Sequence, residues 1–175
     1  MGAGRIRMEG EMTNIVAGNV APAFSLKRLD GKEYSLDKLL KRGPVVAAFF
    51  KVSCPVCQFT FPFLERIFQR YGGDGVSFVG VSQDDAQSTK EFADKYGVSF
   101  PLVMDEKNYS VSNAYGLTNV PTIFLVEPDG AVKVSCTGFV KADLETIANE
   151  LAGRRKIKPA ALFKPEEKVP ALQPG

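Results

Sequence analysis

The sequence predicts a single α/β domain in which a mixed central β-sheet carries helices on both faces. Short apolar runs typical of buried strands alternate along the chain with segments of helical periodicity. The alternation ends in two strands joined by a tight turn and a last helix, which adds an antiparallel pair to the sheet. The 175 residues are enough for one such domain with a sizeable core and an extension at each end.

The first predicted element is an N-terminal β-hairpin. Residues 24–36 alternate between apolar and polar side chains around Asp30-Gly31, which predicts two strands joined by a two-residue turn. Ser35 is expected to cap a short helix, which Gly43-Pro44 then ends.

A buried strand and a long helix follow. The run VVAAFF at 45–50 predicts a strand that is covered on both faces. Apolar residues then recur at helical spacing from Phe59 to Tyr71, and Gly72-Gly73 ends that helix. The same patterns predict strands at 76–81, 100–104, 122–126 and 132–136, and helices that begin after Asp84 or Asp85, after Asn108 and near Lys141.

The two ends of the chain differ from the predicted domain, which spans 18–152. Residues 1–17 lack an apolar run long enough for a signal peptide, and we expect a flexible N-terminus. Residues 153–175 are rich in proline and lysine and have no helical period, so we expect a tail rather than a second domain. Most such tails are disordered; the alternative, suggested by Leu162-Phe163 and Val169, is a tail that lies along the domain or a partner. No window is long and apolar enough for a membrane span. These features predict a cytoplasmic protein, or a periplasmic or other extracytoplasmic one if a signal was removed.

The composition excludes several classes of function. The 22 Lys and Arg residues nearly balance the 20 Asp and Glu residues, and this charge balance argues against a nucleic-acid-binding protein. The chain has no histidine, which rules out serine-histidine triads and every zinc site that needs histidine. Its three cysteines cannot complete a four-cysteine zinc site within one chain, so we predict no metal site.

The segment SCPVC places a Cys-x-x-Cys at a strand-to-helix junction. Cys54 comes at the start of the helix, where unpaired backbone N–H groups and the helix dipole favour a thiolate, and Pro55 suits the first helical turn. Cys57 lies one turn further along the helix. A thiolate at Cys54 can attack a disulfide, and Cys57 can then resolve the mixed disulfide. The alternative is a coincidental pair of core thiols, which this placement disfavours.

Four segments carry a resemblance to one branch of a known superfamily. The run VVAAFFKVSCPVCQFTFPFLERI resembles the active-site segment of thioredoxin-fold proteins, and NVPTIFLVEPDGAV resembles their cis-proline loop and final hairpin. The intervening helix-strand insertion and the leading GNVAPAFSLKRLDGKEYSLDKL resemble the TlpA-like and AhpC/TSA redoxin branch. The likeness covers roughly residues 18 to 152, and it implies a thioredoxin-like fold and thiol–disulfide oxidoreductase activity.

The resemblance also implies a substrate-binding surface around the dithiol. Pro121 would be the cis-proline facing the cysteines, and the backbone of Val120 would bind the substrate chain beside its disulfide. Gly138 would lie near the site, as would Pro55 and Val56 between the cysteines. Without the resemblance, Pro121 reads as a trans proline at a strand entry and Gly138 as a turn glycine.

The chain departs from the family pattern at three positions around the cysteines. Ser53 replaces the usual tryptophan, Ala48 stands where thioredoxins hold a buried carboxylate, and Thr60 stands where many TlpA-like proteins have a glutamate. Both usual proton acceptors for Cys57 are therefore missing, and we expect its deprotonation to be slow. Lys51 either stabilises a thiolate or is an ordinary solvated lysine.

The third cysteine, Cys136, alternates with Val132 and Val134 on the inward face of its predicted strand. Free cysteine is among the most buried residue types, so we expect a core thiol. The alternative is a third redox partner for Cys57.

Three functions follow, in order of preference. The first is thiol–disulfide exchange with a protein disulfide or dithiol and an upstream thiol reductant or oxidant, with no cofactor beyond the Cys54-Cys57 disulfide. The second is a peroxiredoxin-like peroxidase; Cys57 would then be peroxidatic, but the arginine expected near the proline loop is absent. The third is a non-catalytic binding module.

Similar redoxins sometimes carry a further C-terminal thiol or selenol. The hypothesis that the native chain continues past Gly175 is tested by reading the next codons of the gene.

Overall fold

The computed structural model describes residues 14–175, and its centre is a five-stranded mixed β-sheet with helices on both faces. The strands are β1 (Ser25–Lys27), β2 (Glu33–Ser35), β3 (Val45–Phe50), β4 (Ser77–Ser82), β5 (Leu102–Met104), β6 (Thr122–Val126), β7 (Val132–Thr137), β8 (Phe139–Val140) and β9 (Leu172–Gln173). The helices are α1 (Leu36–Leu40), α2 (Pro55–Tyr71), α3 (Ala86–Tyr96), α4 (Ser110–Ala114) and α5 (Lys141–Arg154). The predicted fold class is confirmed.

Strand β3 lies in the middle of the sheet, whose order is β5-β4-β3-β6-β7. It runs parallel to β4 and antiparallel to β6, and all six of its residues are buried. Phe50 faces the core covered by α2, α3 and α5, and Phe49 faces the core covered by the hairpin, α1 and α4. Each fully buried phenylalanine contributes about 1.5–3 kcal/mol by leaving water. The end of β3, where the cysteines follow, is therefore firmly held.

Helix α2 follows β3 after a short turn, residues 51–54, and the cysteine pair lies at its start. Cys54 is its N-cap residue, and Pro55 takes the first helical position. At the other end, Gly72 closes the helix by donating its backbone N–H to Phe68. The predicted strand-to-helix junction at the cysteines is thus confirmed.

The hairpin of β1 and β2 is present, but its predicted two-residue turn is wrong. Arg28 N–H donates to the carbonyl of Lys32 at 2.8 Å, which leaves three residues, 29–31, in the loop. Gly31 takes the positive φ of 82° that this loop requires, and the Asp30 carboxylate accepts the Lys32 N–H at 3.0 Å. A three-residue loop with glycine in the left-handed region is a common hairpin connection.

Asn108, the predicted cap of helix α4, supplies one cap hydrogen bond: its Oδ1 accepts the backbone N–H of Ser110 at 3.3 Å. The N-cap position belongs to Tyr109, whose side chain makes no cap hydrogen bond. The buried carboxylate of Asp105 instead accepts the backbone N–H groups of Val111 and Ser112, at 3.3 and 2.8 Å. A carboxylate several residues upstream thus satisfies the donors that a local cap would take.

The N-terminal segment was predicted to be flexible over 1–17, of which residues 1–13 lie outside the described part of the chain. Within 14–17 the chain is held at Ile15, while Val16 and Ala17 are exposed. Ile15 is buried, and its backbone N–H donates to the carbonyl of Tyr115 at 3.1 Å. This segment is therefore packed against α4 and its following turn.

The C-terminal residues are also packed on the domain. Helix α5 continues to Arg154, beyond the predicted start of the tail at 153. Leu162 and Phe163 are buried in the same core cluster as Cys57. A short 3₁₀ turn (Pro165–Glu167) and strand β9 follow, and β9 pairs antiparallel with β8. Across residues 14–175, no helix is both long and apolar enough for a membrane crossing.

Candidate active site

Cys54 occupies the N-cap of α2 with its sulfur turned toward the helix backbone. Its Sγ accepts the backbone N–H of Cys57 at 3.1 Å, and its thiol donates to the carbonyl oxygen of Val120 at 3.5 Å. The residue is partly exposed, and Pro55 beside it is exposed. Cys54 is therefore the accessible sulfur of the pair, and it lies where helix N–H groups stabilise negative charge.

Cys57 differs from Cys54 in being completely buried, with 0% of its surface exposed. Burial raises the pKa of the Cys57 thiol far above its ordinary value, and a hydrogen bond with the Cys54 side chain raises it further. A backbone hydrogen bond from Lys51 acts in the opposite direction but is outweighed. Cys57 is thus a protonated thiol near neutral pH, while Cys54 is only partly buried.

The loop opposite the cysteines is built around the Val120-Pro121 peptide bond, which is cis. The hydroxyl of Thr122 donates to the carbonyl of Asn119 at 2.7 Å, across this bond. Gly138 donates its backbone N–H to the carbonyl of Pro121 at 2.7 Å, and its φ is 75°. Val120, Pro121 and Gly138 are therefore held together, and the carbonyl of Val120 is the group among them that contacts Cys54.

The positions where family members hold carboxylates are apolar or already bonded. Ala48 is buried within β3. Thr60 is fully buried, and its hydroxyl donates to the carbonyl of Val56 at 2.6 Å. The Lys51 side chain is exposed to solvent, while its carbonyl accepts the Cys54 N–H at 3.3 Å. None of these three side chains offers a base to Cys57.

The sequence indicates Asp84 only as a helix cap, yet the structure places its carboxylate beside the segment that leads into the cysteines. Its carboxylate accepts the backbone N–H of Val52 at 2.8 Å, just before the cysteines. Its negative charge contributes to raising the pKa of Cys57. The signal was available, because Asp84 follows β4, and the carboxyl ends of the neighbouring parallel strands β3 and β4 meet at one edge.

Cys136 is buried in the same core cluster as Cys57. Its thiol donates to the carbonyl of Gly138 at 3.5 Å. Burial, followed by the charge of Asp143, raises the pKa of Cys136 to about 12. All three cysteines are free thiols. Between residues 14 and 175, no group of three or more His, Cys, Asp or Glu side chains lies close enough to hold a metal ion.

A five-stranded mixed sheet, a dithiol at the start of α2 and a cis-proline loop against the first cysteine define a thioredoxin-like redox protein. The structure is similar to the thioredoxin domain of a thiol-disulfide oxidoreductase from Bacteroides vulgatus, with a TM-score of 0.69 and 23% identity over 78% of this chain and 98% of that one. It is also similar to the peroxidoxin BcpB of Mycobacterium tuberculosis, with a TM-score of 0.66 and 23% identity over 83% and 99%. These two likenesses establish the fold alone.

Sequence similarity establishes the family. The family model of AhpC/TSA matches residues 17–135. The thiol-disulfide oxidoreductase ResA of Geobacillus thermodenitrificans is 32% identical over 143 residues, which are 78% of this chain and 81% of the relative. The chain belongs to the AhpC/TSA family, as a TlpA/ResA-like redoxin. It is a thiol–disulfide oxidoreductase, as the sequence analysis predicted.

Proposed function

We propose that Cys54 is the nucleophile and Cys57 the resolving thiol of a dithiol that exchanges electrons with protein disulfides. The observation that carries this assignment is the difference between the two sulfurs. Cys54 is accessible and takes a backbone N–H from the helix start, whereas Cys57 is fully buried with a strongly raised pKa. Attack requires an accessible thiolate, and Cys57 becomes able to react only once a mixed disulfide has formed next to it.

In the reducing direction, the Cys54 thiolate attacks one sulfur of the substrate disulfide. The substrate S–S bond breaks, a Cys54–substrate disulfide forms, and the other substrate sulfur leaves as a thiolate that takes up a proton. Cys57 then loses its proton and attacks Cys54 Sγ, which releases the second substrate thiol and leaves a Cys54–Cys57 disulfide. Two electrons have passed to the substrate, and an upstream thiol reductant restores the dithiol. The oxidising direction is the reverse of these steps.

Asp84 is the proposed proton acceptor for Cys57. Its charge acts on Cys57, it is only partly buried, and a backbone N–H holds its carboxylate at the end of β4. The residues that align with the family's carboxylates, Ala48 and Thr60, cannot take a proton. Transfer from Cys57 to Asp84, directly or through one water, would supply the missing base.

The proposed binding surface consists of Val120, Pro121 and Gly138, with Pro55 and Val56 at its rim. The Val120 carbonyl contacts Cys54, so an extended substrate chain on this loop would place its disulfide within reach of the sulfur. Extended-chain binding through backbone hydrogen bonds accepts many sequences, as a general protein reductant or oxidant needs.

The cytoplasmic location that the sequence predicts stays a prediction, and fractionation of the native host tests it.

The test compares two electron acceptors. The reduced protein is mixed with a peptide disulfide or with hydrogen peroxide, and the loss of its thiols is followed in the wild type and in Cys54→Ser. We expect rapid oxidation by the disulfide, slow oxidation by peroxide, and loss of the disulfide reaction in Cys54→Ser. Catalytic peroxide consumption that survives in Cys54→Ser and disappears in Cys57→Ser would overturn the assignment in favour of a peroxidase. Retention of all cellular effect in Cys54→Ser would instead support a binding module.

A further inference from the structure

The C-terminal segment, residues 159–175, is fastened to the domain at several points. Arg66 binds the Glu167 carboxylate through two hydrogen bonds of 2.8 Å and also donates to the carbonyl of Leu162 at 2.7 Å. Arg70 donates to the carbonyl of Ala161 at 2.9 Å. Phe163 is buried against the core. These contacts fix the direction in which the following residues run.

Beyond these anchors the chain reaches the proposed binding surface itself. Strand β9 pairs with β8, and Gly175 then lies on the loop of the cis-proline. The side-chain amide of Asn119 donates to the carbonyl oxygen of Gly175 at 2.9 Å. A Cβ atom at Gly175 would collide with the carbonyl oxygen of Val120, the same oxygen that accepts the Cys54 thiol. A Cβ atom at Gly138 would lie 2.6 Å from the carbonyl oxygen of Gln173. Residues 171–175, hereafter the C-terminal strap, thus contact Val120 and Gly138 through backbone atoms.

The hydrogen-bond pattern of the strap resembles that of an added strand. Lys141 N–H donates to the carbonyl of Ala171 at 2.9 Å, so these two residues form a hydrogen-bonded pair. Hydrogen-bonded pairs alternate along an antiparallel ladder, which makes Phe139 and Gln173 the next such pair and leaves Val140 and Leu172 unbonded. Leu172 and Gln173 are exposed, so the pairing depends on the backbone rather than on buried side chains.

We propose that the C-terminal strap is a built-in competitor that occupies the substrate groove and must be displaced before a polypeptide disulfide can bind. The proposal rests on the proposed function, since it assigns the same Val120 and Gly138 surface to the substrate. It also describes the substrate class: an extended segment that pairs with the β8 edge and has a small residue where Gly175 now meets Val120. The strap occupies the backbone groups that a peptide would bind. It should therefore hinder the binding of peptides more than the access of small reagents to Cys54.

The test uses two full-length variants that change the same exposed side chain. Gln173→Pro removes the side chain and the backbone donor to Phe139, whereas Gln173→Ala removes the side chain alone. Exchange with a peptide disulfide and alkylation of Cys54 by iodoacetamide are measured for both variants and the wild type. Hydrogen exchange of the Phe139 and Lys141 amides reports whether the strap is in place.

We expect Gln173→Pro to lower the KM for the peptide by about fivefold with kcat unchanged. In the wild type the strap covers the groove for part of the time, and this weakens peptide binding in proportion. Its amides at 139 and 141 should exchange faster, and its alkylation rate should stay within about twofold of the wild type. Gln173→Ala should match the wild type throughout. Loss of amide protection with an unchanged KM would overturn the strap proposal alone, as would amides that are unprotected in the wild type. Absence of peptide exchange in all three proteins would overturn the proposed function as well.

Discussion

The contrast between the two sulfurs predicts a large difference in their reactivity, which single-thiol variants expose. In Cys54→Ser, Cys57 loses the charge of Cys54 but keeps its burial, which is the largest cause of its raised pKa. Burial disfavours the thiolate, so the sign of the shift is upward and the reactive form appears only at high pH. A thiol with the ordinary pKa of 9.0 is about one-tenth thiolate at pH 8. Each further unit of pKa lowers the thiolate fraction about tenfold.

We therefore expect Cys57 in Cys54→Ser to be alkylated at least about 100-fold more slowly at pH 8 than Cys54 in Cys57→Ser. One factor of ten or more comes from the raised pKa, and the complete burial of the sulfur adds the rest. The assay is iodoacetamide labelling between pH 6 and 10, with the labelled peptide identified by mass spectrometry. The unfolded variants, which should label fully, are the control for reagent access. Rates within about threefold of each other in the folded variants would refute the reasoning.

Three further predictions concern residues around the dithiol and the C-terminal anchor. Cys136→Ala should lower the free energy of unfolding in urea by about 1–2 kcal/mol, because it leaves a cavity, and its exchange activity should stay within about twofold of the wild type. A loss of activity above tenfold would instead identify Cys136 as a redox partner. Asp84→Asn should slow resolution of the mixed disulfide by about tenfold in stopped-flow measurements, whereas acceleration would mean that Asp84 acts on Cys57 only through its charge. The Arg66 guanidinium lowers the pKa of Glu167 from 4.5 to about 2, so the stability from this pair is complete above about pH 4.5 and lost as the pH falls toward 2; Glu167→Gln should remove that step from acid unfolding curves.

Much of the fold can be predicted, because apolar residues recur along the sequence with the period of a strand or of a helix. The continuous apolar run of β3 signalled a strand buried on both faces, and the glycines after Tyr71 and Tyr96 marked helix ends. The placement of Cys54 at a helix start also followed from local order along the chain. These features depend on neighbours in sequence, which a pattern of residues records directly.

The missed features depend on contacts between distant residues. Asp84 reaches Val52, just before the dithiol, only because β3 and β4 pair in parallel with Phe50 opposite Ser82. The sequence offers the packing of Leu162 and Phe163 only as an alternative to a disordered tail, since prolines interrupt the segment and its anchors lie on α2. Asp105 caps α4 from six and seven residues upstream. Register and tertiary contact decide each of these, and neither can be read from local pattern.

The central claim, that Cys54 attacks and Cys57 resolves, is tested most directly by trapping the mixed disulfide. Reduced Cys57→Ser, incubated with a peptide disulfide, should accumulate a covalent adduct that tandem mass spectrometry assigns to Cys54, because no thiol remains to resolve it. Cys54→Ser under the same conditions should form no adduct. An adduct on Cys57 in Cys54→Ser, formed as fast as the one on Cys54, would contradict the account.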